Sequence, residues 1–136
     1  MAYLLDTDSV LDHLAAVPEA IAPLDELADS GLFISIVTYM EAYQGVLRSP
    51  HRQEAQEQFE AFVAVVPVLP FSEDIARRCA ALRETLRAHG KRVRPRARDL
   101  MLAATALEHD LRLVTRNTRD YADVPGLRHY QSSAAT

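Results

Sequence analysis

The stretch Tyr3-Leu4-Leu5-Asp6-Thr7-Asp8 ends an apolar run abruptly on two carboxylates with one threonine between them. A continuous apolar run suits a strand buried on both faces of a parallel sheet. An acid directly beyond such a strand stands where open α/β sheets place their ligands, past the carboxyl ends of the strands. With this first strand taken as Ala2–Leu5, comparable runs follow at Leu32–Ser35, Val66–Leu69 and Leu111–Thr115, and Leu127–Tyr130 offers a weaker fifth.

Helical patterns lie between these runs. Val37, Met40, Gln44 and Leu47 mark one predicted face, and Phe59, Phe62, Val63 and Val66 repeat at i, i+3, i+4 and i+7. Ser72 before Glu73 and Asp74 reads as a helix cap with acids in the first turn. Ile75, Cys79, Leu82 and Leu86 then line one face until Gly90 stops the helix. Leu100–Leu107 is apolar nearly all round, which predicts a helix lying deep against the sheet with Asp99 at its first turn. Val93-Arg94-Pro95-Arg96 reads as irregular. Strands alternating with helices predict an α/β fold, a three-layer α/β/α sandwich around a short, mostly parallel sheet.

The 136 residues, 49% of them apolar, suffice for one domain over residues 1–130, with 131–136 expected to fray. The lone Cys79 cannot form an internal disulfide and fits a reducing compartment, hence a cytoplasmic location. A charge at Asp6 comes too early for a signal peptide. The longest uncharged stretch, Ala61 to Ser72, contains twelve residues, well short of the roughly 20 that a bilayer span needs, so no membrane association is expected. The net charge of −4 argues against coating nucleic acid by bulk electrostatics. Its distribution is uneven, however. Arg87, Lys91, Arg92, Arg94, Arg96 and Arg98 crowd a segment without any acid, which leaves nine basic side chains against nineteen acidic ones elsewhere. Such a run can be a solvated helix end or a patch that meets phosphate.

Acids recur at the other strand ends. Glu41 follows the second strand on the next helix, Asp99 opens the buried helix, and Asn117 and Asp120 follow the last long strand. Each has a plain structural alternative: a helix cap for Asp6 and Asp99, a solvated helix face for Glu41, a turn for Asp120. If these segments converge, the clustered carboxylates repel one another unless a cation sits among them, and an all-oxygen donor set selects Mg²⁺ or Mn²⁺. Phosphoryl transfer or phosphodiester hydrolysis then follows. Other chemistries lack parts. The histidines are scattered without zinc-like spacing, and there is neither a glycine-rich phosphate loop nor a Gly-x-Ser-x-Gly elbow.

Four motifs in order then carry a resemblance over nearly the whole chain. They are Tyr3-Leu4-Leu5-Asp6-Thr7-Asp8, Ile34-Ser35-Ile36-Val37-Thr38-Tyr39-Met40-Glu41, Asp99-Leu100-Met101-Leu102-Ala103-Ala104-Thr105-Ala106-Leu107 and Leu113-Val114-Thr115-Arg116-Asn117-Thr118-Arg119-Asp120-Tyr121. Together they resemble the PIN-domain nucleases, and within them the VapC-type toxins of type II toxin–antitoxin systems. The resemblance implies a Mg²⁺- or Mn²⁺-dependent endoribonuclease that cuts tRNA or ribosomal RNA, forms a homodimer and is held inactive by a cognate antitoxin. It implies Asp6 and Asp99 as metal ligands, Glu41 as the second acid, Thr7 and Thr115 as orienting hydroxyls, and the Asn117/Asp120 pair in place of a fourth acid. It also places Arg92, Arg94, Arg96 and Arg98 beside the site mouth, where they would contact RNA phosphates.

The chain departs from the family pattern twice. Asp8 stands where Asn is usual, so either a fifth acid joins the site or Asp8 turns away and caps the following helix, the reading preferred from the sequence. Asn117 stands at the position of the fourth acid, so Asp120 is the candidate there. Two rivals stay open. Asp6-Thr7-Asp8-Ser9-Val10 also resembles the acid pair of haloacid-dehalogenase-type phosphatases, although the sole lysine, Lys91, is far from any strand end. A PIN-like fold can also serve as a non-catalytic binding module. Nothing in the residues alone selects RNA over DNA.

Overall fold

The computed structural model describes residues 2–16 and 24–130. Four parallel strands, β1 (Tyr3–Leu5), β2 (Leu32–Ser35), β3 (Val68–Leu69) and β4 (Arg112–Val114), form a sheet in the order β3-β2-β1-β4. Tyr3 pairs with both Leu32 and Arg112, Leu5 with Val114, and Ile34 with Val68. The strand that carries Asp6 is therefore flanked on both sides, so its carboxyl end lies at the middle of the sheet rather than at an edge.

Alternation along β1 divides the core into two layers. Leu4 points into a cluster with Ile75, Leu82, Leu100 and Leu113, whereas Tyr3 and Leu5 face one with Val10, Ile34, Phe59 and Val114. The first layer is built by α4 (Glu73–Ala88) and α5 (Ala97–Glu108). The second is built by α1 (Thr7–Leu14), α2 (Ile36–Arg48) and α3 (Arg52–Val65), with Leu24 and Leu27 joining it. The three-layer sandwich expected from the sequence is thus present.

Most segments fall where the pattern puts them, and the exceptions have physical causes. The strands are shorter than expected: Val66 is not in a strand but ends α3, its N–H bonded to the Phe62 carbonyl at 3.1 Å. Ala2, Leu111 and Thr115 likewise fall outside the strands. The fifth strand is reduced to a single parallel bridge between Leu113 and His129. On α2 the inward face is Val37, Thr38, Ala42 and Val46, and three of the four residues expected there, Met40, Gln44 and Leu47, are exposed. The helix also packs on α1: a methyl group placed on Gly45 would stand in ordinary contact with Leu11, at 3.6 Å.

Two helix ends matter for the site. At the end of α4 the Lys91 N–H bonds the Leu86 carbonyl and the Gly90 N–H that of Arg87, both at 3.0 Å, with Gly90 at φ +78°. This is a Schellman closure, which needs a left-handed residue after the helix. The following segment, expected to be irregular, forms a 3-10 turn over Arg94–Arg96 that runs directly into α5. No helix among the described residues is long and apolar enough to cross a membrane. The expected fraying of 131–136 lies outside the described residues.

Candidate active site

Asp6 directly follows β1 and is 5% exposed. Its extended backbone ends the strand, its N–H donates to the Val114 carbonyl at 3.1 Å, and its Oδ1 accepts the Ser9 N–H at 2.8 Å. Asp6 is therefore the cap of α1. Asp8, read from sequence as that cap, instead lies within the first turn and faces a cleft of about 440 Å³ together with Asp6, Glu41 and Asp99.

Glu41 reaches the cleft because Ser35, the last residue of β2, caps α2 by accepting the Val37 N–H at 3.1 Å. That starts the helix at the strand end and brings its second turn over the sheet edge. Glu41 Oε1 accepts the Thr7 hydroxyl at 2.6 Å, and the Thr7 and Thr38 hydroxyls are 3.1 Å apart. Its second oxygen, Oε2, accepts a hydrogen bond from Arg98 Nη1. Thr7 thus stands where an orienting hydroxyl was expected. Thr115 does not contact a carboxylate: its Oγ1 accepts the Asn117 N–H at 3.0 Å.

Asp99 lies in the first turn of α5, and Arg96, which contributes no capping side-chain bond, holds the cap position. The reading of Asp99 as merely a cap therefore fails. A carboxylate in the first helical turn is favoured by the helix dipole and by unbonded N–H groups there. Asp99 Oδ1 accepts the Tyr121 hydroxyl at 3.2 Å. Asp120 is exposed on the 3-10 turn Thr118–Tyr121 and stands off the cleft wall, although its charge reaches Asp99. Asn117 is exposed at the start of that turn.

Electrostatics follow from this crowding. Burial, then the charges of Asp6 and Asp12, raise the Asp8 carboxyl above the ordinary aspartate value, with Arg116 opposing and Glu41 adding to the rise. Burial also raises Asp99; the Tyr121 hydrogen bond works against it and the Asp120 charge with it. Burial and then the Asp99 charge hold the Tyr121 phenol protonated far above its usual range, so it acts only as a donor to Asp99.

Among the described residues, no three acids, histidines or cysteines are already gathered at metal-ligating positions. Each acid has its own partner instead: Asp6 the Ser9 amide, Glu41 Thr7 and Arg98, Asp99 the Tyr121 phenol. The donor set still fits a hard divalent cation. It is all oxygen, it shares one cleft, and two of its carboxyls are pushed toward the neutral form, first by burial and then by neighbouring carboxylates.

The basic run divides. Arg98 turns into the cleft, and Arg96 makes a two-pronged bond to Asp123 at 2.7 and 2.8 Å, whereas Arg92 and Arg94 point outward on a separate groove. Sequence reasoning gave no role to Tyr121 or to Arg48, which also lines the cleft. Tyr121 ends one of the quoted motifs, but nothing in the spacing pairs it with Asp99.

The sequence profile described as the PIN domain matches residues 3–127. The "tRNA(fMet)-specific endonuclease VapC" of Shigella flexneri is 30% identical over 128 residues, covering 94% of this chain and 96% of that protein. "Toxin FitB" of Neisseria gonorrhoeae is 32% identical and covers 89% and 93%. A crystal structure of DNA-bound VapBC from Salmonella typhimurium superposes with a TM-score of 0.84 at 28% identity, over 96% of this chain and 97% of that one.

Proposed function

Since the chain belongs to the PIN-domain family, in its VapC-type toxin branch, we propose that it is a divalent-metal-dependent endoribonuclease serving as the toxin of a toxin–antitoxin pair. The observation that carries this reading is the convergence of Asp6, Glu41 and Asp99, from three separate segments, on one cleft at the carboxyl ends of the strands. That membership removes the haloacid-dehalogenase alternative, and Lys91 lines a groove apart from the acids.

Asp6 and Asp99 would hold Mg²⁺ or Mn²⁺, with Asp120 close enough to add its charge. When bound, the ion supplies positive charge to the phosphate under attack and favours the ionised form of the attacking water. The chain's own groups do the rest. Tyr121 keeps the Asp99 carboxylate oriented, and the caps at Asp6 and Ser35 fix the starts of α1 and α2. Thr7 immobilises Glu41 through Oε1, so that Oε2, once Arg98 leaves it, accepts the proton of the attacking water. The water oxygen bonds to phosphorus, the bond to the leaving oxygen breaks, and that oxygen takes a proton from solvent. Arg98, moved from Glu41 to the substrate, and Arg92 and Arg94 would contact phosphates, whereas Arg96, also expected to do so, is held by Asp123. Asn117 and Thr115 would shape the loop beside the site.

RNA as substrate rests on relatives named as tRNA(fMet)-specific endonucleases and as a ribonuclease. The cognate antitoxin rests on solved neighbours that are toxin–antitoxin complexes. The uncovered apolar side chains of Ile36, Met40 and Leu47 on α2 supply a surface for such a protein or for a second copy in a homodimer.

Purified protein free of antitoxin, given total RNA with Mn²⁺, should yield discrete fragments that vanish with EDTA and with Asp99→Ala. Identical behaviour of the wild type and Asp99→Ala, with no Mn²⁺ binding by calorimetry, would instead make the chain a non-catalytic binding module.

A further inference from the structure

Arg83 and Arg87 on α4, with Lys91, Arg92 and Arg94 beyond it, surround a groove of about 530 Å³ whose wall carries one acid, Glu84. None of the five cations forms an ion pair among the described residues, although Lys91 acts at longer range on Asp123. In a chain of net charge −4 this cluster of like charge is uncompensated from within.

Part of it has a local explanation. Arg87 occupies the last turn of α4, where a cation favours the helix dipole. That does not account for Arg92 and Arg94, which lie outside the helix. Nor is the segment carrying them loose. The Schellman closure at Gly90 fixes its start, and Val93, 8% exposed, is buried in the same core cluster as Leu86. Pro95 limits the backbone, and the Arg96 bond to Asp123 fixes the far end. Lys91, Arg92 and Arg94 are thus splayed around a buried anchor, and a ligand would meet them without ordering the backbone first.

The chemistry selects the ligand. Four of the five cations are guanidinium groups, which match phosphate in two-pronged geometry. The wall offers no large apolar side chain that could anchor a protein partner. The groove is separate from the cleft but lies near it along the chain: from Arg94 to Arg98, the partner of Glu41, is four residues, at most about 14 Å even of extended backbone.

We infer that this groove holds the phosphate backbone of the RNA substrate outside the cleaved segment, as a second contact point of the nuclease. The inference rests on the ribonuclease reading above and extends the phosphate contacts of Arg92 and Arg94 to a groove shared with Arg83, Arg87 and Lys91. Phosphate contacts of this kind supply affinity and register without reading bases.

The test compares the wild type with Arg87→Gln/Arg92→Gln/Arg94→Gln and with the corresponding Arg→Lys triple variant. Binding to single-stranded RNA is measured in EDTA across a salt series, and kcat and KM are measured with Mn²⁺. The glutamine variant should bind at least about tenfold more weakly, and its salt slope should fall by about 2, the loss expected for three phosphate contacts on a single strand. Its KM should rise with kcat unchanged, and the lysine variant should keep the wild-type slope. If the wild type cleaves RNA and the glutamine variant matches it in KM and slope, the groove inference falls while the ribonuclease reading stands. If the wild type neither binds nor cleaves RNA, both fall. If RNA binding is unchanged and only the complex with the antitoxin weakens, the groove belongs to a protein partner and the inference is overturned.

Discussion

The Tyr121 hydroxyl donates to Asp99 Oδ1 at 3.2 Å, tying the 3-10 turn after β4 to the first turn of α5. Tyr121 is 3% exposed, so its ring is core and only its oxygen belongs to the site. Tyr121→Phe keeps the ring and removes the donor. Unfolding free energy should fall by about 1.5–3 kcal/mol, the range for a lost hydrogen bond to a charged group. The carboxyl of Asp99, already raised by burial, loses an influence that lowers it and should titrate higher still. Catalysis needs the ionised form, so the acid limb of the cleavage profile should move to higher pH. Denaturant titration and a pH series of cleavage rates check both.

Thr7→Val replaces the hydroxyl that holds Glu41 Oε1 at 2.6 Å by a methyl group of similar size. It also strips the fully buried Thr38 hydroxyl of its neighbour at 3.1 Å. A lost bond of about 1.5–3 kcal/mol corresponds to a fall in kcat of about ten- to a hundredfold if Glu41 is the proton acceptor. Thr7→Ser should recover most of it. Equal kcat in the valine and serine variants would deny Thr7 an orienting role.

Arg98→Gln removes the cation that occupies Glu41 Oε2. The Arg98 side chain is 72% exposed, so the pair adds at most about 1 kcal/mol and the melting temperature should hardly move. Mn²⁺ binding without RNA should tighten, because a competing positive charge has gone. Calorimetry on the metal-free protein gives the answer, and unchanged or weaker binding would contradict it.

Asp8→Asn should stabilise the metal-free protein at neutral pH. An acid whose folded pKa is raised holds its proton more firmly when folded, so it weakens the fold above that pKa. The penalty is absent below the ordinary aspartate value of 3.8 and complete once the pH exceeds the raised one. The gain from the amide should therefore appear as the pH climbs through that window and shrink when Mg²⁺ is added to the wild type. Melting curves at pH 4 and 7 test the sign.

What could be read from the sequence was the position of the acids, because an apolar run ending on a carboxylate marks both a strand and its ligand-facing end. Sequence spacing could not show which partner each acid takes. Glu41 and Arg98 are 57 positions apart, and their pairing depends on how α2 and α5 meet over the sheet. The face of α2 was misjudged because Met40 and Leu47 are large and apolar, yet the helix turns Val37, Thr38, Ala42 and Val46 inward and leaves those two uncovered. The cap of α1 fell to Asp6 rather than Asp8 because of the strand before it. Both suit a cap, and only the abrupt end of β1 assigns it to Asp6.

The Asp6 carboxylate serves two masters, one oxygen starting α1 and the group as a whole charging the cleft. An asparagine caps a helix as well as an aspartate does but brings no charge, whereas an alanine forfeits the cap and about 1 kcal/mol with it. Divergent copies of this chain that abandon cleavage and persist as binders therefore have a mild route through Asp6→Asn and a destabilising one through Asp6→Ala. An amide at this position would be the mark of a lineage that gave up its chemistry and kept its shape.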